Sequence, residues 1–528
     1  GPFARADDKS AMKIARTIIV MMLLSQGAYA ATLLRGLGPE PDSLDIHHAQ
    51  GLPGIQVLRE IREGLTTFDA AGEVAPGVAS SWEILENGRL YRFQLRENAR
   101  WSNGDPVTAD DFVRAWRRAL SPPTLARTAS LLTNVERANA SMRGEAAASE
   151  IGIAAVSANV LEIKLDAATP WFLELLAHPV AFPLHAEGVD KPLAAPVNGA
   201  FMIDKVSPHA MIRLVKNPHF HAADSVALDA VEYLPIEDPT SELSRYRAGE
   251  VDLTETIPAG RHDWLKTYMG DELKVHPYIG SFWLGLNLKR EPFKDNPDLR
   301  RALSLAVDRT VIARLVIGAG ELPAWSIVPP GIEGYTPTAL EDSELSQEAR
   351  QQEARRLYRA AGYGDREPLE IELRFNTSSQ HRKIALAVSS MWRQVLGVKT
   401  ELVNEEWKVF VNNRRQGALT QVFRGGWIAD YADPTSFLEL FLTHSELNTT
   451  FYSSAAFDAL MGQAAALEGA ERMQRLGQAE RLLMRDMPVI PLFFYVSRHL
   501  LKPTISGFVP NVRDIHLSRY MGMENQQP

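Results

Sequence analysis

The sequence predicts an α/β protein with mixed sheets, and three observations support that class. Segments that alternate apolar and polar residues are interleaved with amphipathic helical segments along most of the 528 residues. The spacing of the strands does not follow a strict series of βαβ units, which favours mixed over purely parallel sheets. The composition, 45% hydrophobic and 23% charged, is typical of a globular protein, and the length predicts several domains.

The strand predictions rest on a period of two. In LYRFQLR, the side chains of Tyr91, Phe93 and Leu95 share one face, and the intervening arginine and glutamine residues share the other. LEIKL at 161–165 and LEIELRF at 369–375 repeat this alternation. We therefore expect each of these strands to be covered on one side only.

The helix predictions rest on apolar stripes and on the residues at the helix ends. In residues 108–120, Thr108 is placed as the N-cap and Asp111 follows three residues later, which predicts a capping box. Further amphipathic helices are predicted over 346–364, where Gly362 is a plausible C-cap residue, 382–398 and 471–487.

The N-terminal segment has the features of an export signal. From Met12 to Ala30 it contains the basic Lys13 and Arg16, a short apolar run and a small-residue cleavage pattern. About ten apolar residues cannot span roughly 30 Å of hydrocarbon, so residues 1–30 are predicted to be a cleavable leader and not an anchor. With no cysteine and a net charge of −9, these features indicate export to a Gram-negative periplasm.

Composition and missing motifs argue against several functions. The absence of cysteine excludes disulfides, thiolate metal sites and cysteine nucleophiles. The acidic net charge, without any basic run, argues against a nucleic-acid partner. No hydrolase, zinc-protease, P-loop or dinucleotide-binding pattern is present, so neither an enzyme nor a cofactor is predicted. His47-His48 and His219-x-His221 lack spaced carboxylates, and we expect these imidazoles at the surface and not on a metal ion.

One stretch calls for a functional explanation. FRGGWIADYADPTSF, residues 423–437, combines Arg424, Trp427 and Asp430 with two glycines and two further acidic or aromatic neighbours. An amphipathic helix does not have this pattern, and a solvent loop rarely carries tryptophan and tyrosine so close together. The stretch therefore offers an aromatic wall, a cation and a carboxylate at an irregular, glycine-containing strand end.

This stretch belongs to a set of segments that together resemble a known family. The set consists of residues 43–84, 90–116, 198–203, 303–309, 376–392 and 423–437. The sequence is similar to the extracytoplasmic oligopeptide-binding proteins that feed ABC importers, over nearly all of the chain after residue 31. The resemblance implies a three-domain, flytrap-like α/β architecture with a hinge, in which domains I and III enclose the ligand.

The same resemblance implies the domain boundaries. Domain I would be discontinuous and consist of residues 31–62, 178–279 and 497–528. Domain II would comprise residues 63–177, and domain III residues 280–496.

The resemblance also implies how a ligand is held. An extended peptide pairs its main chain with strand-like backbone, while its side chains lie in hydrated pockets. Asp430 lies where the family's carboxylate receives the peptide α-ammonium group. Arg424, Arg414 and His381 match positions that meet the C-terminal carboxylate. The other predicted ligand contacts are Trp427, Trp407, Tyr495, Gly426, Ile428 and Gln50.

The residues alone leave alternatives open. Asp430 could be an ordinary turn residue, and Arg424 could pair with Asp430 or Asp433 inside the protein. His381 could cap the helix predicted over 382–398. The tryptophans could belong mainly to the core, as most tryptophans do.

Departures from the family pattern bear on the substrate. Gln50 and Gly285 stand where some enteric receptors carry acidic residues, which predicts a weaker preference for basic peptides. Gly280 and Ile428 occupy the places of a cysteine pair. Segments 51–61, 251–258 and 322–330 look more like the murein-tripeptide branch, which binds L-Ala-γ-D-Glu-meso-diaminopimelate. Its extra carboxylate would need a cation such as Arg414 or Arg424.

The predicted function is that of a monomeric periplasmic receptor that encloses short peptides and delivers them to an inner-membrane ABC permease. One alternative is a receptor dedicated to murein tripeptide or a similar modified peptide. A second is a periplasmic peptidase, and a third is a chaperone or sensor partner that uses the same cleft. General oligopeptide binding is favoured over these alternatives.

Overall fold

The computed structural model describes residues 30–524 except residues 50, 127 and 446, and it omits the side chains of residues 407 and 408. The predicted leader up to residue 29 and the predicted contact Gln50 therefore lie outside the described residues. In the described part, no helix is long and apolar enough to cross a membrane.

Strands occur along the whole described chain. In chain order they are β1 (Thr32–Gly38), β2 (Thr66–Phe68), β3 (Val74–Pro76), β4 (Ala79–Leu85), β5 (Leu90–Leu95), β6 (Ile153–Ser157), β7 (Val160–Lys164), β8 (Phe201–Ser207), β9 (Met211–Lys216), β10 (Ala230–Pro235), β11 (Leu273–Leu286), β12 (Leu322–Pro323), β13 (Glu370–Asn376), β14 (Lys399–Glu405), β15 (Val422–Ile428), β16 (Val489–Leu500), β17 (Ile505–Ser506) and β18 (Gly522–Met523).

Helices alternate with these strands. They are α1 (Leu52–Ile61), α2 (Ala109–Ala119), α3 (Ala138–Met142), α4 (Phe172–Leu175), α5 (Pro239–Arg247), α6 (His262–Tyr268), α7 (Pro297–Leu305), α8 (Arg309–Val311), α9 (Gln347–Ala360), α10 (Ser379–Leu396), α11 (Trp407–Gln416), α12 (Thr435–Leu438), α13 (Ala455–Ala465) and α14 (Gly469–Asp486). Short 3-10 turns connect several of them, and a π-helical turn, Ile312–Ile317, follows α8.

The larger sheets include mixed ones, as the sequence predicts. One four-stranded sheet has the order β1-β10-β9-β8, with β1 parallel to β10 and the other pairs antiparallel. A six-stranded sheet has the order β12-β16-β11-β15-β13-β14, in which β13 is parallel to both of its neighbours. A second four-stranded sheet, β4-β5-β7-β6, is antiparallel throughout.

Two long strands connect separate hydrophobic cores. Leu273–Pro277 of β11 pair with Val496–Leu500 of β16, and the register then shifts before Ser281 pairs with Phe494. At one end, Leu500 belongs to a core with Tyr246 and Leu265, whereas Phe282 and Phe493 at the other end belong to a core with Trp392. The irregular region between Pro277 and Ser281 therefore separates the part of the two strands that packs in the first core from the part that packs in the second.

The predicted strands and helices are confirmed, with shifted ends. Tyr91, Phe93 and Leu95 are buried on β5. The predicted capping box is present on α2, where the backbone N–H of Thr108 donates to Asp111 Oδ2 at 2.9 Å. The helix predicted over 382–398 begins earlier, at Ser379, because Ser378 is its N-cap and accepts from the N–H of His381.

One expectation about the histidines is wrong. His47 is completely buried, and Nη1 of Arg118 donates to its Nδ1 at 2.6 Å. His221 has a side chain only 7% exposed, and its Nε2 lies 2.6 Å from Glu63 Oε2. Both imidazoles are buried because polar partners far away in the sequence satisfy them, and local spacing does not reveal such partners.

Candidate functional site

The arginine–glycine–tryptophan stretch forms β15, next to β11 in the six-stranded sheet. Gly425 lies opposite Trp283, and a Cβ atom at Gly425 would come within 2.3 Å of Trp283 Nε1. A Cβ atom at Gly426 would lie 3.0 Å from the carbonyl oxygen of Ser281. The glycines therefore let β15 pack closely against β11 and keep its backbone accessible beside Gly426.

Two cavities lie along β15. The larger one, about 530 Å³, is lined by Ile428 and Asp430 on one side and by residues of α1 such as Arg59 on the other. The smaller one, about 230 Å³, is lined by Gly426, Trp427 and Arg414. One strand end thus contributes to both cavities, as a site for an extended ligand requires.

Asp430 is a carboxylate without a counter-charge. Its side chain is exposed to the larger cavity, and no salt bridge to it is formed among the described residues. Partial desolvation by the cavity walls raises the pKa of Asp430 above its usual value. A cationic group of a ligand would remove this penalty.

The turn that carries Asp430 is held by residues distant in the sequence. The ring of Tyr431 stacks on Trp171 with centroids 4.5 Å apart and an angle of 4° between the planes. The N–H of Ala432 donates to both carboxylate oxygens of Glu174, each at 3.0 Å. Glu174 in turn accepts from Nε of Arg513 at 2.8 Å. The orientation of Asp430 therefore depends on α4 and on the C-terminal segment.

Asp433 has a structural role instead. Both of its carboxylate oxygens accept from Arg472, at 2.7 and 2.8 Å, and the pair is buried. Asp433 also accepts from the N–H of Thr435 at the start of α12. The alternative in which Arg424 pairs with Asp433 does not occur, and Arg424 does not pair with Asp430 either.

A second group of charged residues near β15 consists of the two cations Arg424 and Arg414. The guanidinium carbon of Arg424 lies 5.4 Å from the centre of the Phe282 ring, and that of Arg414 lies 5.2 Å from the centre of the Phe410 ring. Neither arginine forms a salt bridge within the described part of the chain, and both Nε atoms are buried without a hydrogen-bond partner. Burial and the nearby Arg424 lower the pKa of Arg414 to about 10.

His381 and Tyr495 adjoin these arginines. Burial and the charge of Arg424 lower the pKa of His381 to about 4, so its imidazole is neutral near pH 7. The ring of His381 lies 5.7 Å from that of Phe282, and its backbone N–H, not its side chain, takes part in the cap of α10. Burial raises the pKa of Tyr495, which neighbours Arg424. The group has a net positive charge and suits an anion.

The remaining predicted contacts are placed as follows. Trp427 is half-buried, and its Nε1 donates to Ser436 Oγ at 3.1 Å, so it is both a core residue and a cavity wall. Ile428 is 51% exposed and lies opposite Gly280 in the sheet. The side chain of Trp407 is not among those described, so its predicted contact stays a prediction, like that of Gln50.

Sequence reasoning missed several residues of the larger cavity. Arg59, Glu174, Tyr278 and Arg513 all line it. Burial lowers the pKa of Arg59 to about 10 and raises that of Tyr278 to about 12. These side chains come from separate segments of the chain, and each segment is unremarkable by itself, so no local pattern predicts that they meet.

The chain matches a described family and several characterised proteins. The family "Bacterial extracellular solute-binding proteins, family 5 Middle" matches residues 73–449. The periplasmic murein peptide-binding protein MppA of Escherichia coli is 36% identical over 499 residues, which is 93% of this chain and 92% of that protein. The periplasmic oligopeptide-binding protein OppA of Salmonella typhimurium is 37% identical over 488 residues, 90% of this chain and 89% of that protein.

Two solved structures show how the lobes are arranged. The unliganded open form of the murein tripeptide binding protein MppA has a TM-score of 0.88 at 35% identity, covering 94% of this chain and 98% of that one. Haemophilus influenzae OppA in complex with the peptide RPPGFSPFR has a TM-score of 0.71 at 33% identity, covering 94% and 99%. At nearly equal identity and coverage, this chain is therefore more similar to the open form than to the peptide complex.

Proposed function

The chain belongs to the bacterial extracellular solute-binding proteins of family 5, and from this premise we propose that it is a periplasmic receptor that encloses short peptides and delivers them to an ABC permease. Its three-domain flytrap architecture is that of the solved structures it matches. Relatives of 36% and 37% identity are named as murein peptide-binding and oligopeptide-binding proteins. The comparisons favour neither substrate branch over the other.

One observation carries this proposal: unpaired charges of opposite sign lie on and beside β15. Asp430, two residues beyond the end of β15, faces the larger cavity. Arg414 of α11 lines the smaller cavity, and Arg424 of β15 is close enough to Arg414 to lower its pKa. None of the three forms a salt bridge among the described residues. A peptide carries an ammonium group at one end and a carboxylate at the other. We assign Asp430 to the ammonium group and the two arginines, with His381, to the carboxylate.

The strand itself supports recognition of the peptide main chain. Gly426 lines the smaller cavity, where an extended peptide can approach the backbone, and hydrogen bonds to backbone do not depend on peptide sequence. Trp427 and Tyr495 form walls for the chain, and Ile428 and Gln50 are assigned to its surroundings. Bridging water in the two cavities would make side-chain selectivity weak.

Electrostatic interactions with the two ends of the ligand explain why peptides with free ends should be preferred over peptides with blocked ends. Two unit charges ~4 Å apart attract by about 4 kcal/mol at an effective dielectric near 20. Desolvation removes much of that gain, but a buried charge left without its partner costs roughly 3–5 kcal/mol. A ligand with a blocked amine or an amidated carboxylate should therefore bind more weakly than a free peptide.

Murein tripeptide remains a specific second candidate. Arg415, beside Arg414, also lines the smaller cavity, which provides an additional cation for an extra ligand carboxylate. This candidate differs from the general one in ligand identity only, since the site and the transport role are the same.

The organisation of the chain fits the same role. We assign residues 31–62, 178–279 and 497–528 to domain I, 63–177 to domain II and 280–496 to domain III, with the hinge at the irregular pairing of β11 and β16. We infer that the protein acts as a monomer, that residues 1–30 are removed on export to the periplasm, and that the bound peptide is released without cleavage. Solute binding, and not catalysis, is the property of the family.

Native mass spectrometry of the protein purified from cells would test the proposal. A series of bound masses that match mixed short peptides supports the general reading, and one species containing diaminopimelate supports the murein reading. Incubation with a mixed tripeptide library, followed by a search for fragments, tests the absence of cleavage. A protein that retains no peptide from cells or from the library, under conditions where it is folded, contradicts the proposal.

A further inference from the structure

Three histidines converge on one carboxylate beneath the hinge strands. Nε2 of His276, His499 and His516 lie 3.2, 2.7 and 2.9 Å from Oδ1 of Asp514. His276 is on β11, His499 is on β16, and the other two residues are in the C-terminal segment. All three imidazoles are buried, and Asp514 and His516 line the larger cavity.

His499 differs from the other two imidazoles in its hydrogen-bond partners. His499 faces an acceptor with each ring nitrogen, because its Nδ1 lies 2.8 Å from the carbonyl oxygen of Thr254 and its Nε2 faces Asp514. Both nitrogens therefore carry hydrogen. Although burial opposes the charge, the contact with Asp514 raises the pKa of His499 to about 9. His499 and Asp514 form a buried ion pair.

His276 and His516 each have one ring nitrogen without an acceptor. Their Nδ1 atoms are buried and have no hydrogen-bond partner among the described residues, whereas each Nε2 faces Asp514. When a cation takes the lone pair of Nε2, the hydrogen of the neutral ring lies on Nδ1.

We propose that His276, Asp514 and His516 bind a zinc ion, or another divalent transition-metal ion with the same ligand preference, at the floor of the cleft. Their ligand atoms lie within 4.8 Å of one another. Tetrahedral zinc with ligand distances of about 2.0–2.2 Å holds neighbouring ligand atoms roughly 3.3 Å apart. The Nε2–Oδ1 distances of 3.2 and 2.9 Å are already close to that value. Imidazole and carboxylate are the ligand types that zinc uses in such sites.

His499 would support this site without being a ligand. Its Nε2–H group donates to Asp514, and hydrogen bonds of this kind orient a carboxylate that binds a metal ion. Three protein ligands leave the fourth position for water or for a donor atom of a bound guest, since Asp514 and His516 face the cavity.

The site would also connect the hinge to the C-terminal segment. His276 lies next to Pro277, where the pairing of β11 with β16 becomes irregular. Nearby, the N–H of Ile279 donates to the carbonyl oxygen of Val512 at 3.0 Å. A metal ion that joins His276 to Asp514 and His516 would reinforce this connection at the point where the lobes move.

Zinc titration of the metal-free full chain, without a purification tag, tests the proposal. We expect one zinc ion per chain with micromolar or tighter affinity in competition with a chromogenic chelator. The double variant His276→Ala/His516→Ala should bind at least 100-fold more weakly. His219→Ala, which removes an exposed histidine outside the cluster, should bind like the wild type.

A second measurement, on the wild-type chain, tests the proposal even if the double variant fails to fold. Cobalt(II) added to the wild-type chain should give the intense visible absorption of a tetrahedral site, and zinc should abolish that absorption by competition. Stoichiometric binding weaker than millimolar, an octahedral cobalt spectrum, or equal zinc affinity of the folded double variant and the wild type would overturn the proposal. No peptide is used, so the result is independent of the proposed transport function.

Discussion

At the scale of single residues, charge pairing separates groups that stabilise the protein from groups that remain available. Asp433 and Arg472 satisfy each other with two hydrogen bonds in a buried site. Asp430, three residues before Asp433, has no such partner among the described residues. A partly desolvated charge without a partner costs free energy, and a ligand group of opposite charge would remove that cost, which is the role we propose for Asp430.

Removal of either unpaired arginine should weaken the hold on a peptide carboxylate. We expect Arg424→Gln and Arg414→Gln each to lower the affinity for a free-acid tripeptide about tenfold, or about 1.4 kcal/mol. The affinity for the corresponding amide should change little, because the amide carries no charge for the arginine to pair with. Calorimetric titration with both peptides measures the two effects.

Arg356→Gln is the matched control, because that side chain is 62% exposed and lies outside both cavities. Arginine variants that keep the full preference for the acid over the amide would show that the carboxylate is bound elsewhere.

Asp430, Arg424 and Arg414 are predicted from the sequence as ligand contacts, whereas the charged residues Arg59, Glu174 and Arg513 of the larger cavity are not. The partners of the charged groups are not predicted either. Arg424 and Asp430 stand out locally, and the resemblance of the surrounding stretch gives them roles. Whether Arg424 pairs with Asp433 depends on where Arg472 lies, and that residue follows almost forty positions later. Local sequence therefore identifies the chemical groups, whereas the fold decides which of them remain free.

At the scale of elements, the turn after β15 is fixed by contacts that it makes with α4. Trp171 stacks on Tyr431, and Glu174 accepts from Ala432 while it also binds Arg513. A stacked aromatic pair contributes about 0.5–1.5 kcal/mol beyond its area burial. These contacts hold Asp430 in place before a ligand arrives, and such preorganisation lowers the entropy cost of binding.

Trp171→Ala should therefore weaken peptide binding although Trp171 is not assigned to the ligand. We expect a three- to tenfold loss of affinity, about 0.7–1.4 kcal/mol, from the looser turn. Calorimetry with a free tripeptide provides the measurement. Trp264→Ala serves as the control, since Trp264 packs against Tyr268 in a tilted aromatic pair and does not line the larger cavity. If Trp171→Ala binds the peptide with unchanged affinity, the contact between Trp171 and Tyr431 is not needed to hold the turn that carries Asp430.

Periodicity identified the strands and helices themselves, as the buried Tyr91, Phe93 and Leu95 of β5 show. It did not identify the contact between Trp171 and Tyr431, because residues 260 positions apart leave no joint pattern in one sequence. The early start of α10 follows from Ser378, whose capping role is visible once the helix is known.

At the scale of the whole molecule, β11 and β16 connect the hydrophobic core that contains Leu500 with the core that contains Phe282. Their pairing is regular on both sides of Pro277–Ser281 and irregular between them. The better match to an open form than to a peptide complex is consistent with movement at this point.

Glu480 should make a contribution to the stability of the chain that decreases as the pH rises above the usual range for carboxyl groups. Burial raises the pKa of Glu480 from 4.5 to about 8, and the hydroxyl of Tyr335 donates to it at 3.0 Å. Glu480 is then protonated in the folded protein but ionised in the unfolded chain. Its contribution is fully present below pH 4.5 and is lost as the pH rises through about 8.

Glu480→Gln should flatten this dependence, because glutamine keeps an acceptor for Tyr335 and has no proton to lose. The difference in slope between the wild type and the variant is at most about 1.4 kcal/mol per pH unit. Urea unfolding at several values from pH 5 to pH 8 gives the slopes. Glu471→Gln, an exposed residue on the same helix, should leave the slope unchanged, and an unchanged slope for Glu480→Gln would refute the assignment.

The central claim is that Asp430 anchors the leading amine of an enclosed peptide, and calorimetric titration with a tripeptide and its N-acetylated form tests it most directly. We predict that the wild type and the control Asp365→Asn, altered at an exposed loop residue, bind the free amine at least tenfold more tightly. Asp430→Asn should lose that preference. Equal affinity of the wild type for both peptides, or an undiminished preference in Asp430→Asn, would contradict the account.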